Sequence, residues 1–362
     1  AFMNIAIFLP NWIGDVTMAT PALRAMRRYY DNQAQLIGIM KPHVVEVLAG
    51  TDWLDDKIIF DQRTKLHHQS SMALIRQLRR LDLETIVLLT NSFRTGLLAR
   101  FSAARHRIGY VRYGRGWTLT ERLFPPRKGR KLRPISAVDY YLQIAHSLGC
   151  PEEPRQLELA TLPSDEQIAD QVWLDLGLNN ARQVVVLNTG SANGGARSWP
   201  SKSYEQLAYR IITRHTGTHV LLLCGPAERE VVSQIEQNAA HPHIHSLAKH
   251  PLSIGLSKAC IRRSQLMVTT DSGPRHLAAA FGIPTVTLFG PTDPRWSKNY
   301  LPQAIDLQHK IPCQPCAKKE CPLKHHACMR DLHVETVYKN VADLLETTRK
   351  DSPQNIIALE SS

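Results

Sequence analysis

Short β-branched runs alternate with helical patterns from one end of the chain to the other, and the alternation restarts once. That rhythm predicts an α/β protein built as two doubly wound domains in tandem, because strands separated by helices pair in parallel. Length agrees, since 362 residues suffice for two ordinary domains. So does composition: 43% hydrophobic against 21% charged residues is the balance of a chain that folds around cores.

In the first half the predicted strands are residues 4–9, 35–40, 57–60 and 85–89, with helices at 22–30, 43–48 and 72–81 between them. A polar, proline-punctuated stretch at 151–163 then precedes a helix at 164–176, for which Ser164 is the expected cap. The second series of strands is expected at 183–187, 219–224, 244–246, 266–269 and 285–289. The predicted division is therefore a first domain over 1–158, a second over 159–333, and a closing helix and tail over 334–362. That helix, at 334–347, is expected to pack back on the first domain, and the residues after Lys350 read as a frayed tail. Doubly wound sheets bind ligands at the carboxyl ends of their strands, so two such sheets facing one another would form a cleft.

No apolar run approaches the roughly 20 residues that a membrane helix needs. The opening residues lack a charged leader and run directly into a strand pattern, so a cytoplasmic location is expected. The net charge of +12 is concentrated in one segment. From Arg94 to Arg133 there are twelve Lys and Arg, with Glu121 as the one acid. A field this localised suggests a polyanion as partner: nucleic acid, an anionic membrane surface or a phosphorylated substrate. The alternative is a solvated basic face that only aids solubility.

Four strand ends carry chemistry. The first runs Pro10-Asn11-Trp12-Ile13-Gly14-Asp15 into a helix. Asp15 there is either an N-cap or a general base directed into the cleft. The passage Val268-Thr269-Thr270-Asp271-Ser272-Gly273-Pro274-Arg275-His276 reads as strand, turn and helix start, and it aims free N–H groups and a positive dipole end at a diphosphate. His276 either touches that ligand or fills the core. The loop from Asn188 through Thr189, Gly190 and Ser191 to Arg197 lets backbone approach phosphate oxygens, with Arg197 supplying a cation. It is neither a Walker loop nor a Gly-x-Gly-x-x-Gly fingerprint. Glu228, in Gly225-Pro226-Ala227-Glu228, either contacts ribose hydroxyls or sits in a first helical turn.

Four passages, in order along the chain, resemble the family 9 glycosyltransferases, the heptosyltransferases that build the inner core of lipopolysaccharide. They are Pro10 to Asp15; Thr90-Asn91-Ser92-Phe93-Arg94; the loop ending Ala196-Arg197-Ser198-Trp199-Pro200, with Arg197 where the family usually has lysine; and Thr270 to His276 together with Phe289-Gly290-Pro291-Thr292-Asp293-Pro294. The resemblance implies a GT-B fold, two Rossmann-like domains facing across a cleft, with an ADP-heptose donor and inversion at the anomeric carbon without a metal. It makes Asp15 the base, places Arg197, Ser272 and Gly273 at the diphosphate and Glu228 at the ribose, and turns Asn91, Ser92 and Arg94 towards the acceptor. Thr189, Gly190, Ser191, Asp271 and His276 complete the expected donor site; Arg112 and Arg115 of the basic segment complete the acceptor site. The expected partners are ADP-heptose, a phosphorylated lipid A-core acceptor and the anionic inner face of the inner membrane, where the enzyme would sit peripherally as a monomer, with no nucleic acid. Lys249, in Leu247-Ala248-Lys249, stands where the family usually shows glycine.

Cys313, Cys316, Cys321 and Cys328 lie in a short span with His325 and His326 nearby. The spacing suits a structural zinc site, two redox-labile disulfides or an unliganded thiol loop; no cofactor is required for transfer. Two alternatives to the leading reading stay open here. One is a related GT-B transferase with another donor or acceptor; the other is a basic, zinc-containing nucleic-acid-binding protein, which would leave the phosphate loops without a use.

Overall fold

The structure, a computed structural model, describes residues 2–61, 70–190 and 195–350. It divides into two compact units, residues 1–160 with 295–299, and residues 161–294 with 300–362.

The first unit runs β1 (Met3–Phe8), α1 (Ile13–Met18), α2 (Thr20–Tyr30), β2 (Ala34–Met40), α3 (Pro42–Leu48), β3 (Asp56–Ile59), α4 (Ser71–Arg80), β4 (Thr85–Leu88), α5 (Phe93–Phe101), β5 (His106–Tyr110), β6 (Glu121–Leu123), the hairpin strands β7 (Arg127–Lys128) and β8 (Lys131–Leu132), and α6 (Ala137–Ser147). The second runs α7 (Pro163–Asp175), β9 (Gln183–Asn188), α8 (Ser201–Arg214), β10 (Thr218–Leu223), α9 (Arg229–Ala239), β11 (Ile244–Ser246), α10 (Ile254–Arg262), β12 (Leu266–Thr270), α11 (Gly273–Ala280), β13 (Thr285–Phe289), β14 (Ala304–Gln308), α12 (Ala327–Arg330) and α13 (Val334–Lys350).

Among the described residues each unit holds a six-stranded sheet, ordered β3-β2-β1-β4-β5-β6 in the first and β11-β10-β9-β12-β13-β14 in the second. Every pairing in both sheets is parallel. The two orders are the same topology, with the direction of winding reversing between β1 and β4 and again between β9 and β12. Both faces of the first sheet are covered: Ala6 and Phe8 lie in the cluster formed with Leu74 and Leu78 of α4 and Leu98 of α5. Ile5 and Ile7, pointing the other way, are equally buried. The predicted tandem doubly wound architecture is therefore the observed one.

Besides the short hairpin β7–β8, three strands of the two six-stranded sheets escaped the sequence reading. β5 starts with the exposed His106, β6 is only three residues long and β14 is half-exposed, so none shows the apolar run of a buried parallel strand. Nor does Ser164 cap α7. The helix starts at Pro163 behind an extended Leu162, whose N–H donates to Asp165 Oδ2 at 3.0 Å.

The segment before α7 is pinned to the first unit by Arg24, which is 7% exposed. Its guanidinium donates to Glu153 Oε1 at 2.5 Å, Glu158 Oε2 at 2.9 Å and the carbonyls of Pro154 and Gln156 at 2.9 and 3.1 Å. This strap moves the division to residues 160 and 161, two positions beyond the expected boundary. The closing helix α13 belongs to the second unit, where it packs on α8, β12 and β13.

Candidate functional site

In the first unit the expected residues gather at the reversal point of the sheet. Asp15 follows β1, and Asn91, Ser92 and Arg94 follow β4, the strand paired beside it. Asp15 is not a cap. It stands in the first turn of α1, whose N-cap position is Trp12 and carries no side-chain capping bond. The half-buried carboxylate receives the Tyr141 hydroxyl at Oδ1, 3.5 Å away. Burial, and then the negative Asp15, hold that phenol well above its ordinary pKa, so Tyr141 keeps its proton and remains a donor.

Asn91 is held from two sides: Oδ1 accepts from the Tyr140 hydroxyl at 2.8 Å and from Arg115 Nη2 at 3.4 Å. The Tyr140 ring in turn stacks on Tyr110 with centroids 3.8 Å apart. Ser92 caps α5, accepting the Thr95 N–H at 3.1 Å, and Arg94 Nη2 reaches Ser71 Oγ at 2.9 Å. Together with Asn11, Lys41, Asp61 and Thr90, Ser92 and Arg94 line a cavity of about 230 Å³ with a floor that includes Phe8, Ile39 and Leu98. Lys41 and Arg94 outnumber Asp61 in this lining, and with its apolar side chains they suit an acidic, partly hydrophobic acceptor. Lys41, on the strand end next to β1, is a residue the sequence reading missed; a lone lysine there gave no signal.

Arg115 corrects an expectation. It is fully buried, so it presents no guanidinium to an acceptor. Its Nε donates to the Tyr110 carbonyl at 2.9 Å and Nη1 to the Ser92 carbonyl at 3.4 Å, which makes it a post holding the Asn91–Ser92 turn. Burial pulls its pKa down to about 10, still charged at neutral pH. Arg112 is half-buried, with its guanidinium carbon 5.0 Å from the Tyr113 ring centroid.

In the second unit the corresponding reversal point joins the ends of β9 and β12. Asn188 Nδ2 donates to Thr269 Oγ1 at 2.9 Å and to Ser272 Oγ at 3.1 Å, tying the two strand ends together. Gly190 has φ +70°, and a Cβ there would lie 2.0 Å from Thr270 Oγ1, so this turn closes against β12 only with glycine. Arg197 is exposed, and its Nη1 donates to the Asp271 carbonyl at 3.1 Å, directly before α11. Ser272, the N-cap of α11, makes no side-chain capping bond, and Pro274 occupies the first turn. The N–H groups at the start of α11, the Ser272 hydroxyl and the Arg197 cation thus converge where the sequence placed a diphosphate. Thr189 Oγ1 and Thr270 Oγ1 are buried without a partner among the described residues. Ser191 lies outside the described residues.

Two expected donor contacts turn inward. Asp271 is a latch: Oδ1 accepts from Arg275 Nη1 at 3.2 Å and Oδ2 from the Thr292 hydroxyl at 2.7 Å, fixing the start of α11 to the loop after β13. Arg275, itself 1% exposed and 4.8 Å above the Phe289 ring, went unnoticed because a basic residue in a helix usually reads as solvated. His276 is 3% exposed; burial, and then Arg275, push its imidazole far below the ordinary value, which favours the neutral ring, and its Nδ1 is buried without a partner among the described residues. Glu228 caps its own turn, accepting the Gly225 N–H at 2.6 Å, and remains half-exposed beside the end of β10.

The cysteine loop backs the donor loops. Ala196 N–H donates to the Lys319 carbonyl at 2.8 Å, Ala317 N–H to Pro291 at 2.8 Å and Gln314 Nε2 to Gly290 at 2.7 Å. Cys313, Cys316, Cys321 and Cys328 are all free thiols, and Cys313 Sγ lies 3.9 Å from His325 Nε2. Among the described residues no three such side chains are arranged to hold a metal ion.

The family model described as Glycosyltransferase family 9 (heptosyltransferase) matches residues 71–327. The lipooligosaccharide heptosyltransferase 2 of Campylobacter jejuni is 26% identical over 346 residues, covering 94% of this chain and 99% of the relative. Among solved structures, the Escherichia coli ADP-heptose lipopolysaccharide heptosyltransferase II superposes with a TM-score of 0.76 at 21% identity, over 96% of this chain and 100% of that one. A family 9 glycosyl transferase from Veillonella parvula gives a TM-score of 0.79 at 22% identity, over 96% and 98%. The expected GT-B fold is shared with these heptosyltransferase structures. The matches do not favour the nucleic-acid-binding reading or a transferase of other specificity.

Proposed function

The chain belongs to glycosyltransferase family 9 (heptosyltransferase), and from that premise we propose that it moves heptose from ADP-heptose to the inner core of a lipopolysaccharide acceptor, inverting the anomeric centre, with Asp15 as base. One observation carries the assignment. Asp15 is a carboxylate that follows the carboxyl end of β1, stands in the first turn of α1 and accepts the Tyr141 hydroxyl.

The chemistry follows from the two sites. As the sugar leaves, positive charge grows on its ring and negative charge on the diphosphate, so donors fixed around the phosphates stabilise the transition state more than the ground state. Arg197, the Ser272 hydroxyl and the Gly273 end of α11 are those donors, and they supply the charge compensation that leads us to assign no divalent metal to transfer. Asp15 takes the proton from the attacking hydroxyl, and a single carboxylate suffices for single displacement. Lys41 and Arg94 hold the acidic acceptor beside it, Asn91 is positioned by Tyr140 and Arg115, and Glu228 serves the ribose. The acceptor is a phosphorylated glycolipid, which brings the enzyme to the inner face of the inner membrane.

The test is transfer followed by mass spectrometry, using ADP-heptose and a heptose-deficient core acceptor. The expected product is the acceptor plus one heptose, formed in the presence of EDTA. Turnover with a UDP- or GDP-activated sugar and none with ADP-heptose would overturn the proposal. So would loss of activity in EDTA that magnesium promptly restores.

A further inference from the structure

Beyond the acceptor cavity, the carboxyl edge of the first sheet carries exposed rings at successive strand ends. Phe93 follows β4 and is 41% exposed; Tyr113 and Trp117 follow β5 at 70% and 57%; Phe124 follows β6 at 71%. They do not scatter. Phe93 and Trp117 lie with centroids 6.3 Å apart, and Tyr110 pairs with Leu123, so that the chains leading to Tyr113 and Phe124 leave the sheet side by side. Val111 N–H extends that pairing, donating to the Leu123 carbonyl at 2.7 Å.

The turn that presents Tyr113 and Trp117 is held by buried hydrogen bonds. It is pinned between them by the buried Arg115 and by the Thr118 hydroxyl, which donates to the Arg115 carbonyl at 2.7 Å. Aromatic residues held outward on a fixed turn lie outside the core by construction, and a patch of this kind marks a contact surface.

The surroundings say what the contact is. Arg94 and Arg122 are exposed on the same strand ends, and directly after Phe124-Pro125-Pro126 the hairpin β7–β8 presents Arg127, Lys128, Arg130 and Lys131, all exposed. The lone acid of this region, Glu121, is taken up by His106 at 2.9 Å. Rings that settle at the level of lipid headgroups, bordered by cations that draw on anionic lipid, are the two elements of interfacial binding.

We propose that Phe93, Tyr113, Trp117 and Phe124, with the basic hairpin, form a docking surface for an anionic phospholipid bilayer. The proposal deepens the lipid-borne acceptor reading above, on which it rests. A surface for single-stranded nucleic acid would also combine rings and cations, but Phe124 is followed by two prolines and a hairpin of charges with no further ring, so no stacking series continues.

The experiment is flotation of the full chain with vesicles of phosphatidylcholine containing phosphatidylglycerol, against phosphatidylcholine alone. Binding is expected only to the anionic vesicles and should fall as salt rises. Trp117→Ser with Phe124→Ser should lower partitioning by about tenfold or more, the loss of two interfacial rings, with an unchanged melting temperature. Arg127→Glu with Lys128→Glu should weaken binding and flatten its salt dependence.

A paired assay separates this proposal from the transfer reading. The ring variant should process a delipidated, water-soluble acceptor at the wild-type rate while losing rate on the same acceptor embedded in vesicles. Wild-type partitioning by the ring variant would overturn the docking surface, as would binding of an oligonucleotide without binding of vesicles. Failure of the wild type to glycosylate the soluble acceptor, with vesicle binding intact, would instead count against the transfer reading alone.

Discussion

Replacing Gly190 by alanine should cripple the donor site from the backbone. The added Cβ would meet Thr270 Oγ1 at 2.0 Å and Ser272 Oγ at 3.2 Å, while the residue sits at φ +70°. The left-handed backbone costs alanine about 1–2 kcal/mol, and forcing a methyl into a packed contact costs a further 1–3 kcal/mol. The loop can escape only by moving away from the start of α11, which separates the Arg197 cation from the helix N-terminus. ADP affinity should therefore fall by roughly tenfold to a hundredfold, with a lowered melting temperature. The same contact supplies its own control. Thr270 Oγ1 is buried without a partner among the described residues, so Thr270→Ala should cost little alone and remove the atom that the new methyl strikes. The double variant should recover the clash portion, about 1–3 kcal/mol, and keep only the backbone strain. Calorimetric titration of ADP into the four proteins measures the cycle. Wild-type ADP affinity in Gly190→Ala, or a double variant no better than the single, would refute the proposed closure of this loop on β12.

Three further outcomes follow from the geometry. Arg197→Ala should lose about 2–4 kcal/mol in kcat/KM through weaker stabilisation of the departing diphosphate, measured by steady-state transfer; unchanged kinetics would remove Arg197 from the site. Arg115→Met should destabilise the first unit and raise the acceptor KM while sparing ADP affinity, because the Tyr110 and Ser92 carbonyls lose their donor; a melting temperature and KM equal to wild type would contradict the role of a post. The pH dependence of stability should carry the mark of His245, whose pKa is lowered from 6.5 to about 4 by burial and then by His219 and His243. Below pH 6.5 the unfolded chain takes the proton first, so stability should be full above that pH and fall towards pH 4, by about 1–2 kcal/mol once the partial exposure of the ring is discounted. His245→Gln should flatten that slope in denaturant titrations, and an unaltered slope would assign it elsewhere.

What the sequence revealed follows what leaves a periodic or local mark. The tandem sheets were legible because β1, β2, β4, β9, β10, β12 and β13 are buried on both faces and read as apolar runs; Asp15, Ser272 and Arg197 were legible because they follow such strands, whereas Asn91 came from the family resemblance alone. β5 and β6 were hidden by the charges of the basic segment that also made it conspicuous. A basic residue gives the same letter whether it is solvated or entombed. The sequence therefore assigned Arg115 to the acceptor, passed over Arg275, and gave no sign that Arg24 straps the chain to the first unit through Glu153. The partners that reverse such readings lie far away in the chain: Tyr141 is 126 residues from Asp15, and Thr292 is 21 from Asp271. A local pattern of helix or strand length holds neither pair.

The central claim is that Asp15 removes the acceptor proton, and Asp15→Asn tests it most directly. Asparagine nearly matches the volume and can still accept the Tyr141 hydroxyl, and the N-cap position of α1 is Trp12, so fold and donor site should be spared. It cannot take a proton at neutral pH, so kcat should drop by roughly a hundredfold or more. The measurement is transfer by mass spectrometry with ADP calorimetry on the same preparation: the account predicts wild-type melting and ADP affinity with transfer nearly abolished. Turnover within a few fold of wild type would contradict it.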